Sequence, residues 1–212
     1  MENQAPDRNI MGHEMRFNKP LATSSLDQAG LSFRILEVAG IHGGRVQKDT
    51  TLADFPLDLG GEWVHTTNRV LNRLSQTRDA AQRAVEWLPV TCHIWDGEKR
   101  YQQNQYALQC RGEHRFKSTT WLDFFNDYMA QPIQDRISLN TRVTMIDYSK
   151  DIIQIVTGQG EQVMSRHVIV TVPLNVLKDG DIPFLPDFPR KKQRALKGAI
   201  MPDGFKLFMR LK

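Results

Sequence analysis

The sequence predicts an α/β protein, in which strands and helices pack around a shared core. Three features support this fold class. The segment LSFRILE at 31–37 has the pattern of a buried strand, and three more strand-like segments follow between 141 and 173. The segment STTWLDFFNDYMAQ at 118–131 places apolar residues at helical spacing. This mixture is typical of a sheet covered by helices.

Length and composition indicate a globular protein. The chain has 212 residues, 40% hydrophobic and 25% charged, which is enough for one large or two small domains. A net charge of +4 suits an anionic partner, but lysines and arginines are spread along the sequence. The densest cationic run, PRKKQRALK at 189–197, is interpreted as the solvated face of a helix. We therefore expect no nucleic-acid binding, and a basic nucleic-acid-binding domain ranks last among the alternatives.

Signals for membranes, secretion and metals are absent from the sequence. It has no apolar run long enough for a membrane segment, and charges occupy the place of a signal peptide's apolar region. A soluble, cytoplasmic protein is expected. Cys92 and Cys110 do not form a metal-type pair and are expected to be reduced thiols, so no metal site is predicted.

The first elements of the chain are predicted as follows. Residues 1–23 are polar and without periodicity, which predicts an irregular segment. A short helix is predicted at 24–29, with Gly30 as the residue that terminates it. The buried strand follows, and Glu37 stands at its end.

The middle of the chain is predicted to contain glycine-rich loops and short strands. Phe55, Leu57 and Leu59 alternate with polar residues and predict a short strand. A helix is predicted at 68–76, and short strands are predicted within 88–116 around a turn at Asp96-Gly97.

The amphipathic segment is the most regular helix pattern in the sequence. Thr120 and Asp123 have the spacing of a capping box at its start. Of the strands that follow, those in 143–157 are expected to form an antiparallel layer on a parallel sheet. The last run, 168–172, is apolar throughout apart from one threonine, which predicts a strand buried on both faces.

Glu37 is the first candidate site residue. A carboxylate at the carboxyl end of a buried strand can accept hydrogen bonds from both ribose hydroxyls of a dinucleotide. Taken alone, a glutamate that ends a strand is more often solvated.

Two glycine clusters follow. In Gly43-Gly44-Arg45 the backbone can approach a ligand closely and the guanidinium can bind phosphate, the alternative being a glycine turn with a surface arginine. The cluster at 60–65, GGEWVH, adds Trp63 and His65. Considered alone, Trp63 is expected in the core and His65 bonded to a backbone group.

Together, four segments resemble, in order, motifs of the flavin-dependent amine oxidase family, which includes monoamine oxidases, polyamine oxidases and lysine-specific histone demethylases. The segments are ILEVAGIHGGRV, PLDLGGEWVH, TRVTMID and RHVIVTVPLNVLKDGDIPFLPDFPRKKQRAL. The resemblance extends over 26–75 and 137–212. It implies a partial, Rossmann-like FAD-binding domain at 24–75 and 137–175, with an inserted, mainly helical segment. That segment, 76–136, and residues 176–212 would form a partial substrate-binding domain.

The resemblance implies FAD as cofactor and assigns roles to residues. Glu37 would bind the adenosine ribose, Val143 the adenine through its backbone, and His65 would face the substrate. Gly44 and Arg45 would lie at the pyrophosphate and 61–64 at the flavin. The implied cofactor-binding set is Glu37, Gly43, Gly44, Arg45, Gly60, Gly61, Glu62, Trp63, Val64, Val143 and Pro173.

The activity implied by the family is the oxidation of an amine, a polyamine being one candidate, to an imine. The flavin is reduced in this reaction, and dioxygen reoxidises it with release of hydrogen peroxide. The implied partners are therefore a small-molecule amine and dioxygen.

The chain departs from the family pattern at both ends. The family begins with a strand and a G-x-G-x-x-G turn, and the equivalent positions here are Glu14, Arg16 and Lys19. The first unit of the cofactor domain is therefore expected to be missing or replaced. The later strands of the family have no counterpart, so a partner chain that supplies them is left open. The alternative function is a truncated, catalytically inactive paralogue acting as a binding or interaction module.

Overall fold

The computed structural model describes residues 9–12, 26–27, 29–64, 91–95, 97–104, 114–116, 119–200 and 206–210. They belong to two compact units, one comprising 1–46 with 129–212 and the other 47–128. No helix within these described ranges is long and apolar enough to cross a membrane.

The regular elements are numbered in chain order. The strands are β1 (Asn9–Gly12), β2 (Phe33–Leu36), β3 (Lys48–Asp49), β4 (Leu57–Asp58), β5 (Trp63–Val64), β6 (Thr91–Trp95), β7 (Arg100–Asn104), β8 (His114–Arg115), β9 (Ile137–Ser138), β10 (Val143–Asp147), β11 (Ile153–Thr157), β12 (Gln162–Ser165), β13 (Val168–Val170) and β14 (Phe184–Leu185). The α-helices are α1 (Trp121–Phe125), α2 (Leu174–Asp179) and α3 (Arg190–Gly198).

The first unit contains a parallel sheet with the order β13-β1-β2-β9. Each pairing in this sheet is parallel. Parallel neighbours require crossover connections, which is the arrangement of α/β folds. The predicted fold class is therefore confirmed in this unit.

Strand β1 corrects the prediction that residues 1–23 are irregular throughout. It lies between β2 and β13 and bonds to both. The sequence did not reveal it because the strand has four residues and lacks the continuous apolar run expected of a central strand. Its pairing is made by backbone groups, which a side-chain pattern does not report.

The turn before β2 confirms the predicted role of Gly30. Leu26 and Asp27 are helical, and Gly30 has a φ of +66°. The Gly30 N–H donates to the Asp27 carbonyl and the Leu31 N–H to the Leu26 carbonyl, each at 2.9 Å. This is the pair of bonds of a Schellman motif, in which glycine avoids the steric cost of a left-handed residue.

A second sheet packs on the parallel one. Its order is β12-β11-β10-β14, with β10, β11 and β12 antiparallel as predicted and β14 parallel to β10. The shared core is formed by Leu36, Val143, Ile146, Ile155, Val172 and Ile182. Burial of such side chains stabilises a fold by about 1.5–3 kcal/mol each, so this layer fixes the parallel sheet in place.

Strand β13 corrects a second prediction. The sequence predicted a strand buried on both faces, but Ile169 is 39% exposed, while Val168 and Val170 pack against the core. β13 is the last strand on its side of the described sheet, so one of its faces remains accessible to solvent.

The second unit is built from two-stranded ladders. β3 pairs with β4, β5 with β8 and β6 with β7, all antiparallel. The β6–β7 hairpin confirms the predicted turn, in which Gly97 has a φ of +102°. The strand predicted around Leu57 is β4, and Phe55 beside it is 63% exposed. The helix predicted at 68–76 lies outside the described residues.

The predicted helix start is confirmed, with Thr120 as the N-cap of α1. The Thr120 hydroxyl accepts from the Asp123 N–H at 3.2 Å and donates to the Asp123 carboxylate at 2.8 Å. After Phe125 the helix changes to a π-helical turn at Asn126–Ala130 and then to a 3-10 helix at Gln131–Arg136. A proline near the start of the 3-10 helix lacks the N–H that would continue the earlier ladder.

A charged contact joins strand β2 to the start of β12. The guanidinium of Arg34 donates to both carboxylate oxygens of Glu161 and, at 2.9 Å, to the Ser138 hydroxyl. The hydrogen bond from Arg34 lowers the pKa of Glu161, against the raising effect of partial desolvation. The pair therefore favours the ionised glutamate.

We expect Glu161→Gln to reduce the free energy of unfolding at pH 7 by up to about 1 kcal/mol. Because the pKa of Glu161 is lowered on folding, its stabilisation is complete above the unfolded value and is lost as the pH falls through the folded value. Urea denaturation near pH 7 and near pH 3 measures this. Asp151→Asn, an equal charge change at an exposed position, is the control. An equal loss of stability at both pH values would contradict the expectation.

Candidate cofactor site

The carboxyl ends of parallel strands meet at one edge of a sheet, where α/β proteins bind ligands. β1 ends at Gly12, β2 at Leu36 and β13 at Val170. Glu37 directly follows β2, and the buried Pro173 follows β13 at the start of α2. The structure thus brings two predicted site residues to the same edge.

Glu37 is 1% exposed. This burial excludes the alternative that Glu37 is a solvated residue at the end of a strand. One of its carboxylate oxygens accepts from the Ala39 N–H at 3.1 Å. A buried carboxylate is tolerated only where hydrogen bonds or charges replace its hydration. Its orientation is therefore set by the surrounding chain.

The connection from β9 to β10 holds Glu37 through backbone bonds. The Glu37 N–H donates to the Ser138 carbonyl at 2.9 Å, and the Glu37 carbonyl accepts from the Thr141 N–H at 2.7 Å. The Asn140 N–H donates to the Ala39 carbonyl at 3.0 Å. These residues were not predicted from the sequence, in which the asparagine before a strand is the one local signal of the turn.

Gly40 fits closely against this connection. A Cβ at Gly40 would lie 3.2 Å from the Asn140 side-chain oxygen, which is tighter than ordinary van der Waals contact. Asn140 itself has a φ of +52°, a conformation that asparagine adopts more readily than most residues. The loop after Glu37 and the β9–β10 turn therefore determine each other's shape.

The glycine pair forms a tight turn. Gly43 and Gly44 have φ values of +121° and +56°, and the Val46 N–H donates to the Gly43 carbonyl at 2.9 Å. Side chains rarely adopt such φ values, so glycine is required here. Arg45 is exposed. This agrees with the alternative that the segment is a glycine turn with a surface arginine. Phosphate binding by this turn stays a prediction.

Val143 contributes its side chain to the core and its backbone to the β10–β11 ladder. It pairs with Thr157, and the ladder is irregular between Val143 and Met145. A backbone contact with adenine stays a prediction.

The segment 60–64 lies in the second unit and is braced by Trp121. The Trp121 indole N–H donates to the Trp63 carbonyl at 3.2 Å, and the Trp121 backbone N–H donates to the Asp58 carboxylate at 3.1 Å. Considered alone, Trp63 was expected in the core. It is half-buried, so this expectation is wrong. A Cβ at Gly61 would meet no atom within 4 Å. A flavin contact at this segment stays a prediction.

The predicted cofactor residues are divided between the two units. Those in the first unit are Glu37, Gly43, Gly44, Arg45, Val143 and Pro173, and those in the second are Gly60, Gly61, Glu62, Trp63 and Val64. His65, the predicted substrate-facing residue, lies outside the described residues. In the part of the chain that the structure describes, no group of three His, Cys, Asp or Glu side chains could hold a metal ion.

Comparisons with known proteins agree with this fold. Residues 100–212, more than half of the chain, match the family described as flavin containing amine oxidoreductase. Lysine-specific histone demethylase 2 of Homo sapiens is 32% identical over 107 residues. Lysine-specific histone demethylase 1B of Mus musculus is 30% identical over 107 residues.

Solved structures of putrescine oxidase have a similar fold. The wild type bound to putrescine matches with a TM-score of 0.65, 14% identity and 90% of this chain covered. A double mutant with redesigned cofactor binding matches with a TM-score of 0.66, 13% identity and 90% coverage.

The matches cover only part of each relative. The aligned region is 50% of this chain and 12% of each histone demethylase. The structural match covers 63% of the putrescine oxidase chain.

We expect Trp121→Phe to lower the free energy of unfolding by more than about 1 kcal/mol, because it removes the donor to the Trp63 carbonyl and leaves a cavity at a buried ring. The smaller ring can keep contact with Phe116 and Phe124, whose ring centroids lie 4.7 and 5.9 Å from that of Trp121. Chemical denaturation measures the change. Tyr128→Phe is the control, because it keeps a ring beside Phe124 at 4.9 Å. Equal stability of both variants would show that the indole bond contributes nothing.

Proposed function

Because the chain belongs to the flavin containing amine oxidoreductase family, we propose that it acts in the FAD-dependent oxidation of an amine to an imine, with dioxygen as electron acceptor and hydrogen peroxide as product. FAD is the cofactor expected from this family. The observation that carries the proposal is the buried Glu37 at the carboxyl end of β2, where dinucleotide-binding units place the acid that binds ribose.

In this proposal Glu37 accepts hydrogen bonds from the ribose hydroxyls of FAD. The Ala39 N–H and the bonds to Ser138 and Thr141 hold the residue in position before the cofactor arrives. Since Glu37 is 1% exposed, the ribose must replace groups that cover it. A carboxylate that lost its covering groups without gaining new hydrogen bonds would be energetically costly. The ribose hydroxyls are therefore expected to replace those groups directly.

The glycine turns would contact the remainder of the cofactor. Gly43 and Gly44 allow close backbone approach, and the exposed Arg45 guanidinium suits the pyrophosphate. The open backbone at Gly61 suits the flat flavin ring, with Trp121 fixing the adjacent Trp63. When bound, the flavin supplies the acceptor for the electrons of the amine, which no protein side chain can replace.

The substrate would be a small amine, with polyamines among the candidates. One structural neighbour is a putrescine oxidase bound to putrescine, a diamine, although the likeness at 14% identity is one of fold. We assign His65 to the substrate side on the resemblance of the GGEWVH segment. The segments 76–136 and 176–212 would belong to the substrate-binding part.

The alternative is a catalytically inactive relative that acts as a binding module. Glu14, Arg16 and Lys19, which replace the three glycines of the family's phosphate turn, favour it. A carboxylate and bulky side chains at these positions would hinder the approach of pyrophosphate to the backbone. Retention of flavin distinguishes the two functions.

The test is the visible absorption spectrum of the folded, desalted chain after incubation with FAD. We expect a protein-bound flavin band in wild type and at least a tenfold lower affinity in Glu37→Gln, because the charge-assisted bonds to ribose are weakened. Asp151→Asn is the matched control, since it removes the same charge from an exposed position between β10 and β11. Absence of the band from folded wild type would favour the binding module. Equal flavin content in both variants would contradict the role of Glu37.

A further inference from the structure

A ligand-sized cavity lies in the first unit, beside the helix that follows Pro173. It is a cleft of about 340 Å³ between the end of α2 and one side of α3. Its apolar lining includes Leu177, Ile182, Phe184, Phe188 and Leu196. The volume lies at the lower end of the range for ligand pockets and suits one apolar side chain with adjoining backbone.

The floor of this α2–α3 cleft is an aromatic pair in fixed geometry. The rings of Phe184 and Phe188 lie 4.3 Å apart between centroids. The Gln193 side-chain amide donates to the Phe188 carbonyl at 2.6 Å, and the Lys178 ammonium donates to the Ala199 carbonyl at 2.9 Å. These bonds tie both ends of α3 to its surroundings, so the cleft is largely formed before a ligand binds.

The rim of the cleft is cationic. Helix α3 contains five lysines and arginines in nine residues and no acidic residue. Lys197 lines the cleft, and the Lys192 ammonium lies 4.8 Å from the ring centroid of Phe188 on its floor. Both lysines are exposed, and neither takes part in an ion pair among the described residues. Lys191 lies on the far side of the helix from the cleft.

The cleft therefore combines an apolar floor with unpaired cations at its edge. A duplex nucleic acid would match the charge but offers no apolar side chain to the floor. Asp187 also lines the cleft, and its carboxylate can accept an N–H, a donor that peptide backbones have and phosphodiester backbones lack. The combination favours a peptide over a nucleic acid.

We propose that the α2–α3 cleft binds an acidic peptide segment of a partner protein, which inserts one apolar side chain against Phe184 and Phe188 while its carboxylates face Lys192 and Lys197. The apolar insertion supplies most of the affinity, because surface ion pairs contribute little. The cations supply orientation and the rate of association.

The experiment is fluorescence anisotropy of a short fluorescein-labelled peptide in which glutamates flank a single leucine, titrated with the full chain. We expect saturable binding that weakens with added salt. Replacing the peptide's leucine by serine should weaken binding about tenfold or more, since the apolar anchor is lost. These peptide changes do not depend on the folding of any protein variant.

Two protein variants complete the test. Lys197→Gln, at the rim, should weaken binding about threefold, whereas Lys191→Gln removes the same charge from the far side and should have a smaller effect. Equal effects of the two variants, equal binding of the serine peptide, or no saturable binding by folded wild type would overturn the proposal. Tighter binding of single-stranded DNA or of anionic lipid vesicles than of the acidic peptide would also overturn it.

Discussion

The buried carboxylate of Glu37 is the constraint around which the first unit is arranged. Its own backbone joins β2 to the β9–β10 connection through Ser138 and Thr141, and its side chain bonds the loop that follows through Ala39. Burying such a group costs several kcal/mol unless its partners are in place. The chain around it therefore has little freedom, and the closely fitted Gly40 and Asn140 are a consequence.

The same strand connects the site to the core. Leu36, one residue before Glu37, is fully buried in the cluster shared by the two sheets. Because neighbouring residues on a strand point to opposite faces, the apolar anchor and the polar site residue are positioned by one segment.

The sequence predicted those elements whose determinants are local. Gly30, the Thr120 cap, the β6–β7 hairpin and the strands around Leu36 and Ile155 depend on turn residues and short apolar patterns, and all are present. Strand β1 was missed because its stability comes from neighbours that are distant in sequence. The exposed face of β13 depends on its place in the sheet order, which the local pattern does not specify.

For the same reason, the sequence predicted candidate residues of the site but not the contacts that hold them. Glu37 was recognised from its place at the end of a strand, but its burial depends on Ser138, Asn140 and Thr141, about a hundred residues later in the chain. The bracing of Trp63 by Trp121 is another contact over a long sequence separation. Residue types indicated which groups could bind a dinucleotide, whereas long-range hydrogen bonds determine how those groups are held.

The most direct measurement is a crystal structure of the chain grown with FAD. We expect the adenosine ribose at the carboxyl end of β2, with its hydroxyl oxygens within about 3 Å of the Glu37 carboxylate. Adenosine bound elsewhere, or FAD bound while Glu37 stays covered by the protein groups that bury it now, would show that Glu37 does not bind the ribose.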